Sequence, residues 1–156
     1  MRRILSHILL LMLLALMPLG ASADRIKVRI YSNNTVSTLY VSFDLGEYSL
    51  YGDNITLEQT LGEGRSVEFK PSGTDVQVAV DGFNYGTYHT IRLAAKDTAC
   101  ILCVNPTGLK QRTYEGNLEV SVLKSGSLQV INDVEFETYL AGVVQSEIYV
   151  SADQFR

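Results

Sequence analysis

The sequence predicts an α+β chain: a β-rich sheet region followed by one amphipathic helix, with the remainder of the domain expected beyond residue 156. Three observations carry this. From Arg25 onward, short runs of alternating apolar and polar residues recur between clusters of Gly, Asn, Asp and Ser, the period-2 mark of half-buried strands. After Asn132 the apolar period lengthens to about 3.6 residues, the mark of a helix. One helix is too little to cover a sheet of about eight or nine strands, and the final Ser151-Ala152-Asp153-Gln154-Phe155-Arg156 reads as an opening turn without a continuation.

The first 23 residues are expected to be removed. Met1-Arg2-Arg3 is a basic start, Ile8–Met17 an unbroken apolar run, and Ala21-Ser22-Ala23 a small-residue cleavage pattern, with the cut before Asp24. The run is far shorter than the ~20 apolar residues a bilayer-spanning helix needs. No cysteine follows it, so a lipid anchor is not expected. The organisation is therefore a signal peptide at 1–23, a β-rich N-terminal region at 24–110 and a second region at 111–156. The product is expected to be exported, either periplasmic or secreted.

The strands follow in order. Ile26, Val28 and Ile30 alternate with Arg25, Lys27 and Arg29, and Ser32-Asn33-Asn34 ends the run. Tyr40–Phe43, Glu47–Tyr51 and Ile55–Leu57 come next, separated by turns at Asp44–Gly46 and Gly52–Asn54. Val67–Phe69 and then Val76, Val78 and Val80 continue the pattern, and Asp81-Gly82 is a strong hairpin signal. Ile91–Leu93 and Ala99–Val104 follow. Asn105-Pro106-Thr107-Gly108 is a break, since proline cannot donate to a ladder. Leu118, Val120 and Val122 form another strand, Lys124-Ser125-Gly126 a hairpin loop and Leu128–Ile131 the return. Val134, Phe136, Tyr139, Leu140, Val143, Val144 and Ile148 then recur at helical spacing. Asn132 followed by Glu135 fits a capping box, which predicts a helix over about 133–148 with Asn132 as its N-cap.

Charge excludes one class of partner. The chain has 13 Lys+Arg against 17 Asp+Glu, and removing 1–23 deletes Arg2 and Arg3 but no acid. An acidic chain without a basic tract has no electrostatic footprint for nucleic acid. No other segment is long and apolar enough to cross a membrane, so no integral membrane segment is expected after signal cleavage.

Few residues suit catalysis. Glu147 falls on the stripe Phe136, Leu140, Val143, Glu147. There it either reaches water at a frayed helix end or is partly desolvated, which raises a carboxyl pKa and makes a usable general acid. Glu135 and Glu137 are expected in the first turn, where the helix dipole favours acids. His89 is the only histidine after the signal segment and is expected to be an ordinary surface or half-buried strand residue, so no Ser-His-Asp or Cys-His set is available. No nucleotide-binding or zinc motif occurs, and neither a cofactor nor a metal is expected. Cys100 and Cys103 sit in a strand-like Ala-Cys-Ile-Leu-Cys-Val. They are read as buried or unpaired thiols, with a local disulfide or a metal or redox site as alternatives. The nine tyrosines suit strands, and a few could stack on sugar rings.

Three segments carry a family resemblance. They are Arg112-Thr113-Tyr114-Glu115-Gly116-Asn117-Leu118-Glu119-Val120, then Leu128-Gln129-Val130-Ile131-Asn132, then Glu137-Thr138-Tyr139-Leu140-Ala141-Gly142-Val143-Val144-Gln145-Ser146-Glu147. In order and spacing they resemble the stage II sporulation protein D / LytB family of peptidoglycan-modifying proteins (the SpoIID/LytB domain). Residues 24–110 resemble the variable N-terminal part of such proteins, and 111–156 the start of the catalytic domain. Where that family carries Met and Pro after the Ser-Glu pair, this chain has Ile148-Tyr149-Val150. The family's next motif, a Gln-Ala-x-Ala-x-Arg-Thr-Tyr-like helix, would begin after Arg156.

The resemblance implies a lytic transglycosylase acting on peptidoglycan glycan strands, with Glu147 as its single acid and base. The alternatives are a non-catalytic module that binds glycan or enhances a cell-wall amidase, and a structural β-rich periplasmic protein. The resemblance also implies that a chain ending at Arg156 folds poorly and is inactive.

Overall fold

The computed structural model describes residues 24–153, with side chains described through Val144. The signal peptide expected at 1–23 lies outside the described residues. The described residues form twelve strands and one helix: β1 Arg25–Ile30, β2 Leu39–Leu45, β3 Tyr48–Gly52, β4 Ile55–Leu61, β5 Ser66–Ser72, β6 Asp75–Val80, β7 Phe83–Tyr88, β8 Thr90–Ala95, β9 Ile101–Pro106, β10 Arg112–Glu115, β11 Asn117–Val122, β12 Leu128–Glu135 and α1 Phe136–Asp153. The β-rich region followed by one helix is thus as the sequence predicts. The strands make two six-stranded antiparallel sheets rather than one sheet, in the orders β1-β12-β11-β8-β3-β4 and β10-β9-β2-β5-β6-β7.

Alternation explains the pairing of the two sheets. In β2 the side chains of Leu39, Val41 and Phe43 are buried and those between them exposed. β6 and β12 bury every second residue in the same way. Each sheet therefore has one apolar face, and the two faces enclose a single core around Tyr48, Phe69, Leu50, Leu93 and Leu102. Burying one such side chain is worth roughly 1.5–3 kcal/mol, and the whole set opposes the entropy of ordering the chain.

Turn chemistry sets the registers. Asp53 and Asn54 have φ of 48° and 68°, and Asp81 and Gly82 have φ of 49° and 85°. Two consecutive left-handed residues give the turn whose twist matches that of paired strands. These turns join β3 to β4 and β6 to β7 with two-residue loops.

The two ends of the sandwich differ. At one end the Tyr85 hydroxyl donates to Glu58 across 3.1 Å, tying β7 to β4. At the other end β1 and β10 are the free edges, and the gap between them stays open. β1 pairs with β12, β8 with β11 and β9 with β10, so each sheet contains strands from both 24–110 and 111–156.

The helix differs from expectation at its start. Leu128, Val130, Asn132 and Val134 are all buried in β12, which runs on to Glu135. Asn132 is therefore a strand residue and not an N-cap, and Glu135 is not in the first turn. Period-2 burial won over the capping-box pattern because β1 and β11 both pair with this stretch. The helix begins at Phe136, whose N–H donates to the Asp24 carbonyl at 2.8 Å. Glu137 does lie in its first turn. Phe136, Tyr139, Leu140, Val143 and Val144 remain exposed, so the described part of α1 adds nothing to the buried core.

One core group is unsatisfied. Tyr48 is fully buried, its ring lies 5.2 Å from that of Phe43, and its hydroxyl has no hydrogen-bond partner among the described residues. An unpaired buried hydroxyl costs about 1–3 kcal/mol. Tyr48→Phe is accordingly expected to raise stability by about 1 kcal/mol, read as a higher denaturant midpoint at unchanged slope.

Candidate functional site

The open end of the sandwich is organised by the three residues at which the chain changes sheets. Glu115 ends β10 in one sheet and Asn117 begins β11 in the other. Gly116 between them has φ of 84°, and a Cβ there would lie 2.5 Å from the Asp133 carbonyl oxygen. Only glycine combines that dihedral with so close a backbone approach.

Two buried asparagines fasten this corner. Asn132 Nδ2 donates to the Glu115 carbonyl at 2.8 Å and to the Asn117 carbonyl at 3.0 Å. Asn117 Oδ1 accepts from the Ala95 N–H at 2.9 Å, and its Nδ2 donates to Asp133 at 3.1 Å. Asp133 in turn accepts from Arg25 Nε at 3.0 Å. β1, β8, β11 and β12 are thus joined through side chains as well as ladders.

A cleft of about 600 Å³ opens beside this corner. One wall is the inner face of β1 and β12, with Val28, Ile30 and Val134. The other is β10, where Arg112 and Tyr114 pair with Val104 and Leu102, both buried, and so share the inward face. Thr138, Tyr139 and Val143 of α1 form the roof. A second cleft of about 510 Å³ lies on the far side of the corner, lined by Arg92, Lys96, Asp97 and Glu135. Glu115, Val134 and Thr138 border both.

Tyr31 anchors the first cleft. Its backbone is left-handed at φ 54°, which is uncommon for a bulky residue. Its hydroxyl donates to the carbonyls of Lys110 at 3.0 Å and Val104 at 3.3 Å. Burial, then the neighbouring Tyr114, pushes its pKa well up, so the phenol stays neutral. The Arg112 guanidinium lies 5.9 Å from the centre of its ring. Arg112 forms no ion pair with any described residue.

The residues singled out in the sequence fall as follows. Glu147 lies within α1, one helical turn beyond Val143, and its side chain lies outside the described residues. Cys100 and Cys103 are both buried and free, as the leading reading of that segment held, and Cys100 Sγ lies 3.4 Å from the Glu47 carbonyl. His89 is exposed at the bend between β7 and β8 and pairs with Asp75 at 3.0 Å. No cluster of three or more potential metal ligands occurs among the described residues. No described helix is long and apolar enough to cross a membrane.

Sequence reasoning missed the cleft's makeup. Tyr31 was visible only as part of a tyrosine-rich composition, Tyr114 and Arg112 only as letters of a motif, and Tyr139 only as one of the helix's apolar positions. The signal that could have found the corner is the unbroken alternation Leu128, Val130, Asn132, Val134, which puts an asparagine on a core face where it must find partners. No protein-family model, curated protein or solved structure matches the chain.

Two predictions follow from these contacts. Asn117→Ala strands the Ala95 N–H and removes the Asp133 contact, and is expected to destabilise the fold by about 2 kcal/mol in chemical denaturation. The Asp75 carboxylate raises the His89 pKa. The pair therefore adds its full, small stabilisation below the ordinary histidine pKa and loses it as pH rises through the raised value. The stability difference between wild type and His89→Ala, measured from about pH 5 to about pH 9, should shrink toward the alkaline end.

Proposed function

We propose that the chain is an exported cell-wall protein that cleaves peptidoglycan glycan strands in the manner of a lytic transglycosylase, as its resemblance to the SpoIID/LytB family implies. One observation supports the reading above the rest. The three segments that carry the resemblance are separate in sequence but share one cleft: Arg112, Tyr114 and Glu115 from the first, Asn132 from the second, Thr138 and Tyr139 from the third.

The chemistry asks for one carboxyl group in two roles, and Glu147 is assigned to it. Protonated, it donates to the glycosidic oxygen between N-acetylmuramic acid and N-acetylglucosamine as the C1–O bond breaks. As carboxylate, it takes the proton of the muramic C6 hydroxyl, whose oxygen attacks C1 and closes a 1,6-anhydro ring. The proton given up in the first step is recovered in the second, and no water enters the products. Glycosidases that use water require a second carboxylate; this route does not.

A second reading has its own support. A cleft walled by tyrosines can hold a sugar without breaking a bond, which suits a glycan-binding module or an amidase enhancer. Glu147→Gln separates the two. With protein from the full reading frame and purified glycan strands, anhydro-muramic ends should be detectable by mass spectrometry and fall at least about 100-fold in the variant. Glycan retention without anhydro products in either protein would replace the lyase with the binding module.

A further inference from the structure

We propose that the edge strand β7 is a self-association surface: a second copy of this chain pairs with it across a two-fold axis, so that one continuous sheet runs through both copies. This surface lies apart from the cleft and does not depend on whether the protein cuts glycan.

Charge singles out β7. The four sheet margins are β1, β4, β7 and β10. A margin strand has a neighbour on one side only, so part of its N–H and C=O groups stay open to another strand, and proteins commonly blunt such margins with charged side chains. β1 carries Arg25, Lys27 and Arg29, β4 carries Glu58, and β10 carries Arg112 and Glu115. β7, Phe-Asn-Tyr-Gly-Thr-Tyr, carries none. Two copies of a chain with 17 acidic side chains against 13 basic ones repel in general. β7 is the margin on which they meet without a charge on either strand.

Exposed apolar surface gathers at the same end. Among the described residues, the two most exposed large hydrophobics are Phe83 at 74% and Ile55 at 64%. They begin β7 and β4, the two margins that Tyr85 and Glu58 tie together. Ile55 pairs with Gly52, and a Cβ on Gly52 would lie 2.5 Å from the Tyr88 ring. Ile55 therefore stands near the end of β7, and Phe83 at its start.

The sequence of β7 is complementary to itself. Antiparallel pairing about its midpoint sets Phe83 opposite Tyr88, Asn84 opposite Thr87 and Tyr85 opposite Gly86 of the second copy. The faces agree. Phe83, Gly86 and Tyr88 lie across from Val80, Val78 and Val76 of β6, which are all buried, while Asn84 and Thr87 lie across from Ala79 and Gln77 on the outer side. The inner pairs are thus aromatic on aromatic and the outer pairs amide on hydroxyl, both favourable across strands. A tyrosine opposite a glycine covers the backbone that glycine leaves bare. β7 has a bulge, where its register to β6 shifts between Val78 and Ala79. A bulge bends a strand, and this one falls at the two-fold axis, so Phe83-Asn84 and Thr87-Tyr88 on its two sides pair with each other. The same axis carries Phe83 of each copy toward Tyr88 and Ile55 of the other. β1 and β10 lie at the far margins of their sheets and stay outside the interface.

Sedimentation of the protein from the full reading frame, over about 1 to about 100 μM, tests this. Wild type should be a dimer with a Kd in the micromolar range, about −8 kcal/mol. Asn84→Lys combined with Thr87→Lys sets like charges opposite each other at two places and should weaken the dimer at least about 100-fold. Asn84→Lys combined with Thr87→Glu loses the same Asn84 contact to the Gly86 N–H but sets opposite charges there, and should stay within about tenfold of wild type. Phe83→Ser, which leaves the ladder alone, should also weaken the dimer. Phe83, Asn84 and Thr87 are exposed, so the variants should fold, which the unfolding transition checks. A wild-type monomer at about 100 μM overturns the second copy as occupant, even if an extended peptide of another protein adds to β7 instead. A dimer equally tight in every variant places the interface elsewhere and overturns the assignment of β7. Equal weakening by the two charge combinations overturns the two-fold register.

Discussion

The passage of the chain from one sheet to the other at Gly116 is the constraint on which the open end of this molecule depends. A sandwich needs strands that leave one sheet and join the other, and each crossing brings backbone against backbone. Here the crossing takes a single residue. Gly116 lies so close to the Asp133 carbonyl that a Cβ would stand 2.5 Å from it. The carbonyls exposed by so sharp a turn need donors, and Asn132 supplies both from one amide group. Without that amide the turn would leave buried carbonyls unpaired, each at a cost comparable to a lost hydrogen bond.

The corner also decides where a cleft can exist. Because β10 and β11 belong to different sheets yet are consecutive, the inner face of β10 is drawn to the margin of the sandwich opposite β1. The space between the two edges opens beside the corner. At the other end of the sandwich Tyr85 and Glu58 join β7 to β4. α1 follows directly from β12 and is set by the backbone hydrogen bond from Phe136 to Asp24. Its first turns therefore hang over the opening instead of packing on the core. A rigid two-sheet frame with a helix over its open end places loosely held side chains beside well-held ones, which is what binding sites commonly require.

Much of the fold could be read in the sequence where burial is one-sided. Val76, Val78 and Val80 in β6, and Leu118 and Val120 in β11, alternate because one face of each strand meets the core. Two of the four edge strands were harder to see. β7, Phe-Asn-Tyr-Gly-Thr-Tyr, and β10, Arg-Thr-Tyr-Glu, bury no residue fully, so their apolar alternation is faint. The division into two sheets was hidden as well, because period-2 patterning says which face is buried but not against what. At Asn132 two signals conflicted. An asparagine three residues before a glutamate has the form of a helix cap, yet the same asparagine stands at the third position of an alternating strand. Pairing on both sides of β12 decided for the strand, and the asparagine's amide satisfies carbonyls at a corner that sequence spacing does not reveal.

The candidate site was legible in its parts and not in its assembly. Glu147 stood out because it falls on an apolar stripe, a local property of one helix. Arg112 gave no such signal, since an arginine at the start of a polar strand is ordinary. Like Arg29, Arg92, Lys110 and Lys124 it has no carboxylate partner among the described residues, and what sets it apart is its place on the inward face of β10 beside the cleft. An ion pair at the surface contributes little to stability, about 0–1 kcal/mol, so leaving Arg112 unpaired costs the fold almost nothing. It leaves a fixed positive group at the mouth of a tyrosine-walled cleft in a protein of net negative charge. The overall field of such a protein disfavours anions in general.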